Sequence, residues 1–312
     1  MKKIIFTFSI LLLVSCMANA QGKWAIALHG GAGGASENMT KEQIAIYEAE
    51  LLKSLEIGKQ MLSNGSSALD AVEAVVVSLE NNPMFNAGKG AVTNSEGIHE
   101  LDAAIMDGSN LKAGAVAGVR DVKNPIKAAR LVMDSTAHVL LIADGASVFA
   151  KQMGLEIVDN SYFSVDKKVK QHSDKGTVGC VALDVHGSLA AATSTGGMRG
   201  KKWGRVGDVP IIGAGTYANN NTVAVSGTGH GELWIRRVVA YDISALMEYK
   251  GLSLEEAANE VIFNKISPMG GSGGGIIAVD KNGNISLVFN TSLMHRAWAK
   301  STGEQGTGVL KK

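Results

Sequence analysis

The spacing of apolar positions changes character several times along the chain. Trp24 to Leu28 is a short continuous apolar run of the kind a buried strand carries, and it stops at His29-Gly30-Gly31-Ala32-Gly33-Gly34, where the backbone can turn or approach a ligand closely. Helical spacing follows. Ile44, Tyr47, Leu51 and Leu55 share one face of a first helix. A second, with Leu69, Val72, Val76 and Leu79 on one face, is opened by Ser67-x-x-Asp70 as a capping box. Beyond the stretch from Phe85 to Gly90, apolar runs at Ala103–Met106 and Ala113–Val119 predict strands, and Pro125 to Met133 predicts a helix begun by proline.

From Asp159 to Gly176 the pattern dissolves: Lys167, Lys168, Lys170 and Lys175 are scattered among Asp, Ser and Asn with few apolar anchors, which predicts a mobile, solvated linker. Regular structure returns at once. Val178–Asp184 and Leu189–Thr193 flank Val185-His186-Gly187-Ser188 as a hairpin, and Gly275–Asp280 and Ile285–Phe289 flank Lys281-Asn282-Gly283-Asn284 as another. Between them the spacing predicts a long helix over Leu233–Tyr249 and a further helix after the capping box Ser253-x-x-Glu256. Packed hairpins covered by helices make an α+β layered fold.

Composition adds three points. The 38 glycines against four prolines fall in short clusters, so they mark tight turns and close backbone contacts. Residues 1–20 carry Lys2 and Lys3, an apolar run from Ile4 to Val14 and Ala18-Asn19-Ala20, the layout of an export signal and too short to span a bilayer. A lipoprotein signal is the competing reading, because Leu13-Val14-Ser15-Cys16 offers a lipidatable cysteine; the expected location is therefore the periplasm or the exterior, free or anchored through Cys16. Without residues 1–20 the charge is −1, which gives no basis for nucleic acid or an anionic membrane as partner. Cys180 is then the sole cysteine, and its apolar neighbours predict a buried, inert thiol.

Several chemistries are excluded. The seven histidines include no H-E-x-x-H, and there is no C-x-x-C and no calcium-loop spacing. Gly270-Gly271-Ser272-Gly273-Gly274-Gly275 lacks the Lys and Ser/Thr of a phosphate loop and reads as a structural turn. His29 at a strand end reads as a hydrogen-bonded structural histidine. No G-x-S-x-G elbow exists. What remains is Gly176-Thr177, a threonine heading an apolar strand directly after the linker. A lone threonine there is ordinarily just a β-branched strand residue. Hydroxyl and glycine groups recur, however, at Thr193-Ser194-Thr195-Gly196-Gly197 and Ser226-Gly227-Thr228-Gly229-His230-Gly231-Glu232, with Gly204-Arg205-Val206-Gly207-Asp208 between. A threonine freed at a chain terminus carries its own base, an α-amine of reference pKa about 8. An arginine fork suits a carboxylate and an aspartate suits an ammonium group, so Arg205 and Asp208 can together recognise an α-amino acid; the plainer alternative is a surface ion pair.

These pieces resemble the plant-type L-asparaginase/isoaspartyl peptidase family of the N-terminal nucleophile hydrolase superfamily. They are His29-Gly-Gly-Ala-Gly33, Phe85-Asn-Ala-Gly88, Glu100-Leu-Asp-Ala103, Lys112-Ala-Gly-Ala115, Gly176-Thr-Val-Gly179 with Val181-Ala-Leu-Asp184, Ala192-Thr-Ser-Thr-Gly-Gly197, Gly204-Arg-Val-Gly-Asp208, Thr228-Gly229 and Gly270-Gly-Ser-Gly-Gly274. They run in order from Trp24 almost to the C-terminus.

The resemblance implies an αββα sandwich made as a precursor and cleaved between Gly176 and Thr177. The products would be an α subunit (21–176, ending in the linker 159–176) and a β subunit (177–312), paired and then dimerised. It implies Thr177 as nucleophile, Thr195 as the hydroxyl that orients it, and Thr228 with the Gly229 N–H as oxyanion hole. Arg205 would take the substrate α-carboxylate and Asp208 its α-ammonium, with Gly229 and Gly231 adding backbone contacts. Catalysis would need no cofactor. A structural sodium ion would sit on the backbone carbonyls of Leu79, Glu80, Asn82, Phe85, Ala87 and Lys89. The implied substrates are L-asparagine and β-aspartyl dipeptides, which share the aspartyl half. Two alternatives stay open: the glycosylasparaginase branch, brought into view by export, and a non-catalytic amino-acid-binding module that retains Arg205 and Asp208.

Overall fold

The computed structural model describes residues 22–33, 39–165, 176–271 and 273–311. The expected export signal, Cys16 and residues 166–175 of the expected linker lie outside the described residues. In chain order the strands are β1 (Ala25–Ala32), β2 (Leu101–Asp107), β3 (Ala113–Val119), β4 (Leu140–Ile142), β5 (Val178–Leu183) and β6 (Leu189–Thr195). They continue with β7 (Thr216–Ala218), β8 (Val223–Gly229), β9 (Gly274–Asp280), β10 (Ile285–Ser286), β11 (Leu293–Lys300) and β12 (Gln305–Leu310).

Side-chain alternation along the central strands builds the layers. On β1, Ile26 and Leu28 face one side while Ala25 and Ala27 face the other; on β5, Val178, Cys180 and Ala182 face the first side and Val181 and Leu183 the second. An eight-stranded sheet results, in the order β12-β11-β1-β5-β6-β2-β3-β4. Its first side is covered by α1 (Lys41–Ser63), α2 (Ala68–Glu80), α3 (Pro125–Ser135) and α4 (Ala143–Gln152). Leu51, Leu55, Val72, Val76 and Leu79 are fully buried there, each stabilising the fold by about 2 kcal/mol. The second side packs on a four-stranded sheet, β10-β9-β8-β7, through small residues such as Ala27, Ala191, Ala218 and Ala224. The far face of that sheet buries Val223, Val225, Ile276 and Ala278 under α5 (Gly231–Arg237), α6 (Val239–Lys250) and α7 (Leu254–Asn259), which continues as a π-helical segment over Glu260–Ile266. The order of layers is helix, sheet, sheet, helix, the expected α+β sandwich.

Three expectations need correction. β1 does not stop at His29: a bulge between His29 and Gly31 lets it run on to Ala32, because β11 supplies partners His295 and Met294 from the other end of the chain. The helix over Leu233–Tyr249 is two helices. Val238 breaks it in the left-handed region (φ 51°), and the first N–H groups of α6 donate elsewhere, Ala240 to the Ala214 carbonyl and Tyr241 to that of Gly213. The segment at the start of the expected mobile linker is anchored. Asn160–Phe163 forms a 3₁₀ turn, Phe163 is fully buried, and the Asn160 amide donates to the His99 carbonyl at 2.9 Å.

The candidate active site

The alternation that sends alanines between the sheets sends hydroxyls there at one end. Thr193 and Thr195 on β6 and Ser226 and Thr228 on β8 share that inner side, and Thr177, one residue ahead of β5, continues it. A pocket of about 350 Å³ opens among these strand ends, lined by Gly176, Thr177, Thr195, Arg205, Asp208 and Gly229. The structure therefore gathers residues separated by more than fifty positions into one cleft, as a binding site requires.

Thr177 Oγ1 donates to Thr195 Oγ1 at 3.2 Å, and Thr195 Oγ1 also accepts the Gly197 N–H at 2.9 Å. Thr195 Oγ1 thus accepts from both the Gly197 N–H and the Thr177 hydroxyl. Gly176 lies at φ 102°, and a Cβ there would come within 2.1 Å of Gly31 Cα. The glycine cluster after Leu28 makes its close approach to the peptide that precedes Thr177. Glycine at 176 is required on both counts, backbone angle and space.

Thr228 is fully buried and is not itself among the pocket-lining residues; its Oγ1 accepts the N–H of Ala32, which does line the pocket, at 3.1 Å. That bond occupies a lone pair and leaves the hydroxyl proton to be donated. Gly229 adopts φ 151°, with the Gly273 carbonyl where a Cβ would go. Gly231 does not itself line the pocket but packs against two residues that do. A Cβ at Gly231 would lie 2.8 Å from both Arg205 Nη2 and Asp208 Oδ1, so its task is to leave room for those two side chains.

Asp208 is buried, and its Oδ2 has no hydrogen-bond partner. Burial pushes its carboxyl up to about 7 against the opposing pull of Arg205. A buried carboxylate oxygen without a partner is costly and marks a place where a donor is wanted. Arg205 is not a free fork. Its Nε and Nη2 donate to Glu232 Oε1 and Oε2, both at 3.0 Å, and Glu232 also faces His230 Nε2 at 3.2 Å. The ion pair considered as the plainer alternative does form, between an arginine that lines the pocket and a partly exposed Glu232 that does not. It holds the guanidinium by one edge and leaves the Nη1 edge for a second carboxylate.

Asn86, Met198 and His230 also line the pocket, although no role was assigned to them from sequence. Asn86 ties the α2–β2 loop to the residues that follow Thr195: its Nδ2 donates to the Gly197 carbonyl at 2.8 Å, and its own carbonyl accepts the Gly196 N–H at 2.9 Å. Its place within Phe85-Asn-Ala-Gly88 was the available signal. Cys180 is buried and unpaired, its thiol pushed well up by burial, as expected of an inert cysteine.

No group of three or more His, Cys, Asp or Glu able to hold a metal occurs among the described residues. The loop after α2 offers carbonyls instead. The Glu80 carbonyl accepts the Lys89 N–H at 2.7 Å, and a Cβ at Gly88 would lie 2.4 Å from that oxygen; one at Gly90 would lie 2.8 Å from the Phe85 carbonyl. Three of the six expected carbonyls, those of Leu79, Glu80 and Asn82, already accept backbone N–H groups of the loop, and an oxygen-only donor set is the kind that suits a hard cation.

A strand-head threonine behind a glycine, set between two sheets that are each backed by helices, defines an N-terminal nucleophile hydrolase. The sequence profile of the family described as asparaginase matches residues 22–174 and 166–309. Isoaspartyl peptidase of Escherichia coli (strain K12) is 49% identical over 313 residues, spanning 93% of this chain and 97% of that protein. Isoaspartyl peptidase/L-asparaginase of Xenopus laevis is 43% identical over 297 residues, 91% of this chain and 94% of that protein. The corresponding Mus musculus protein is 43% identical over 300 residues, 91% and 90%. The chain belongs to this asparaginase family.

Proposed function

We propose that the chain is a self-cleaving amidohydrolase that opens the side-chain amide of L-asparagine and of β-aspartyl dipeptides through an ester on Thr177. The observation that carries the reading is the pairing, in one pocket, of an oriented threonine hydroxyl with a buried Asp208 oxygen that lacks a donor. In maturation the Thr177 hydroxyl adds to the Gly176 carbonyl carbon, the C–N bond breaks, and the Thr177 amine is released. Water then hydrolyses the resulting ester and frees the Gly176 carboxylate. The new amine serves as the base of the mature site.

Substrate recognition follows from charge. The α-ammonium gives Asp208 Oδ2 its missing donor, and the α-carboxylate takes the Arg205 edge that Glu232 leaves open. Thr177 Oγ1 attacks the side-chain carbonyl as its proton passes to the α-amine. The oxyanion accepts from the Thr228 hydroxyl and the Gly229 N–H, each donor stabilising it by about 3 kcal/mol. Ammonia or the peptide amine leaves with a proton from the Thr177 ammonium, and water releases aspartate.

Both substrates belong to this reading because both present the same aspartyl half to these groups, and the Xenopus relative's name joins the two activities. Side-by-side kinetics on L-asparagine, β-Asp-Leu and a glycosyl-asparagine test it. Turnover of the glycosyl-asparagine alone would overturn it. We further propose export directed by residues 1–20, with lipidation at Cys16 as the alternative, and assembly as a dimer of cleaved pairs. A sodium ion held by the carbonyls of Leu79, Glu80, Asn82, Phe85, Ala87 and Lys89 would, when bound, supply fixed positive charge that stiffens the loop carrying Asn86.

A further inference from the structure

His29 is fully buried, and no step above uses it. The alternation of β1 turns it toward the space between the sheets. Its Nδ1 lies 2.9 Å from the carbonyl oxygen of Thr177, which can only accept, so Nδ1 carries the proton. Its Nε2 then offers a lone pair, and Ser226 Oγ, 2.9 Å away, donates to it. Ser226 is left to accept from Thr193 Oγ1 at 2.8 Å; Thr216 Oγ1 lies 2.7 Å from Thr193 Oγ1 and shares its proton with the Val209 carbonyl at 3.1 Å. The result is a one-way chain of hydrogen bonds that runs from Thr193 on β6 through Ser226 on β8 to His29 on β1 and ends on the carbonyl of the candidate nucleophile. Desolvation pushes the imidazole down to about 3, so the ring stays neutral and its tautomer is set by these partners.

Room for this chain is made by Gly179. A Cβ there would lie 2.0 Å from Ser226 Oγ and 2.6 Å from His29 Nε2. The second glycine of Gly176-Thr-Val-Gly179 is therefore explained by the contact it permits. The backbone ladder explains why such a contact is wanted. Pairing of β1 with β5 ends at His29 and Gly179, so Thr177 lies beyond the last ladder partner on that side. Cleavage would remove its covalent neighbour as well, and a chain terminus without such ties frays.

We infer that His29 is a positioning residue: its Nδ1–H holds the Thr177 peptide in place, so that hydroxyl and freed amine stay aligned with Thr195 and the pocket. The inference rests on Thr177 being the nucleophile. In fully matured protein, His29→Leu is expected to lower kcat on L-asparagine on the order of 100-fold with KM little changed, because misplacing the nucleophile costs the chemical step rather than substrate binding. His29→Asn places an amide N–H where Nδ1 stood and is expected to recover most of that loss, which a proton shuttle could not do. A native kcat for His29→Leu, or an asparagine variant as slow as the leucine one, overturns the proposal. Should the leucine variant fail to mature, nitrogen-15 NMR of the wild-type imidazole decides: the Nδ1–H tautomer is expected, and the Nε2–H tautomer overturns the proposal. Wild-type protein with the expected tautomer that turns over none of the amide substrates overturns the nucleophile reading and the positioning role with it.

Discussion

Asp208→Asn isolates the interaction on which substrate recognition depends. The amide keeps the shape of the carboxylate and removes its charge, so a bound substrate would bury its α-ammonium against a neutral group. Removing one member of a buried charge pair costs about 3 kcal/mol, roughly a 150-fold loss in kcat/KM, and the loss should fall mainly on KM because ground and transition states share the contact. The assay is steady-state hydrolysis of L-asparagine beside succinamic acid, which is the same molecule without its α-ammonium. The variant is expected to lose on L-asparagine and to lose little on succinamate. An equal loss on both would refute the pairing and reduce Asp208 to a structural role.

The pH dependence gives an independent check on the same group. Burial raises Asp208 to about 7 in the empty site. The ionised form binds the ammonium, so wild-type KM should rise as pH falls below about 7, by up to about tenfold per unit, and the asparagine variant should not show this rise. Stability has the opposite sign. A carboxyl raised in the folded state holds a proton that the unfolded chain has released, so its contribution is lost as pH climbs from about 4 through about 7. Asp208→Asn is therefore expected to melt higher than wild type at about pH 8 while binding substrate worse.

Other expectations are more local. Thr228→Val deletes the proposed oxyanion donor and leaves the Ala32 N–H unpaired; in matured protein kcat should fall on the order of 100-fold with KM little altered, and Thr228→Ser should restore it. A near-native kcat in the valine variant would assign the oxyanion to other donors. Arg205→Ala should raise KM for every substrate with a free α-carboxylate, and Arg205→Lys should recover only part, because a point ammonium cannot serve Glu232 and a substrate carboxylate by two edges. Unchanged kinetics in Arg205→Ala would confine the residue to its pair with Glu232.

Much of this arrangement was legible because it is written locally. The capping box at Ser253 and Glu256 forms, with the Ser253 hydroxyl accepting the Glu256 N–H at 3.3 Å. The recurrence of hydroxyls at alternate positions before glycines was legible too, and period-two alternation is why Thr193 and Thr195 share the inner side with Ser226 and Thr228. What sequence could not supply were relations between distant segments. The bulge after His29 depends on β11, nearly the whole chain away. Val238 carries no helix-breaking signal, and its left-handed backbone follows from the capture of the α6 N–H groups by the loop at Gly213 and Ala214. Glu232 was visible as part of Thr228-Gly229-His230-Gly231-Glu232, but its hold on one edge of Arg205 emerges only when β8 and the loop before Asp208 meet. His29 likewise reads as a structural histidine until the partner of each ring nitrogen is known.

The central claim is that Thr177 is a nucleophile that frees its own amine. N-terminal sequencing and intact mass of the purified protein test it most directly, with Thr177→Ala beside the wild type. Two chains are expected from wild type, the second beginning at Thr177, and one uncleaved, inactive chain from Thr177→Ala. A wild type that turns over L-asparagine as a single intact chain, or an alanine variant cut after Gly176, would contradict the account.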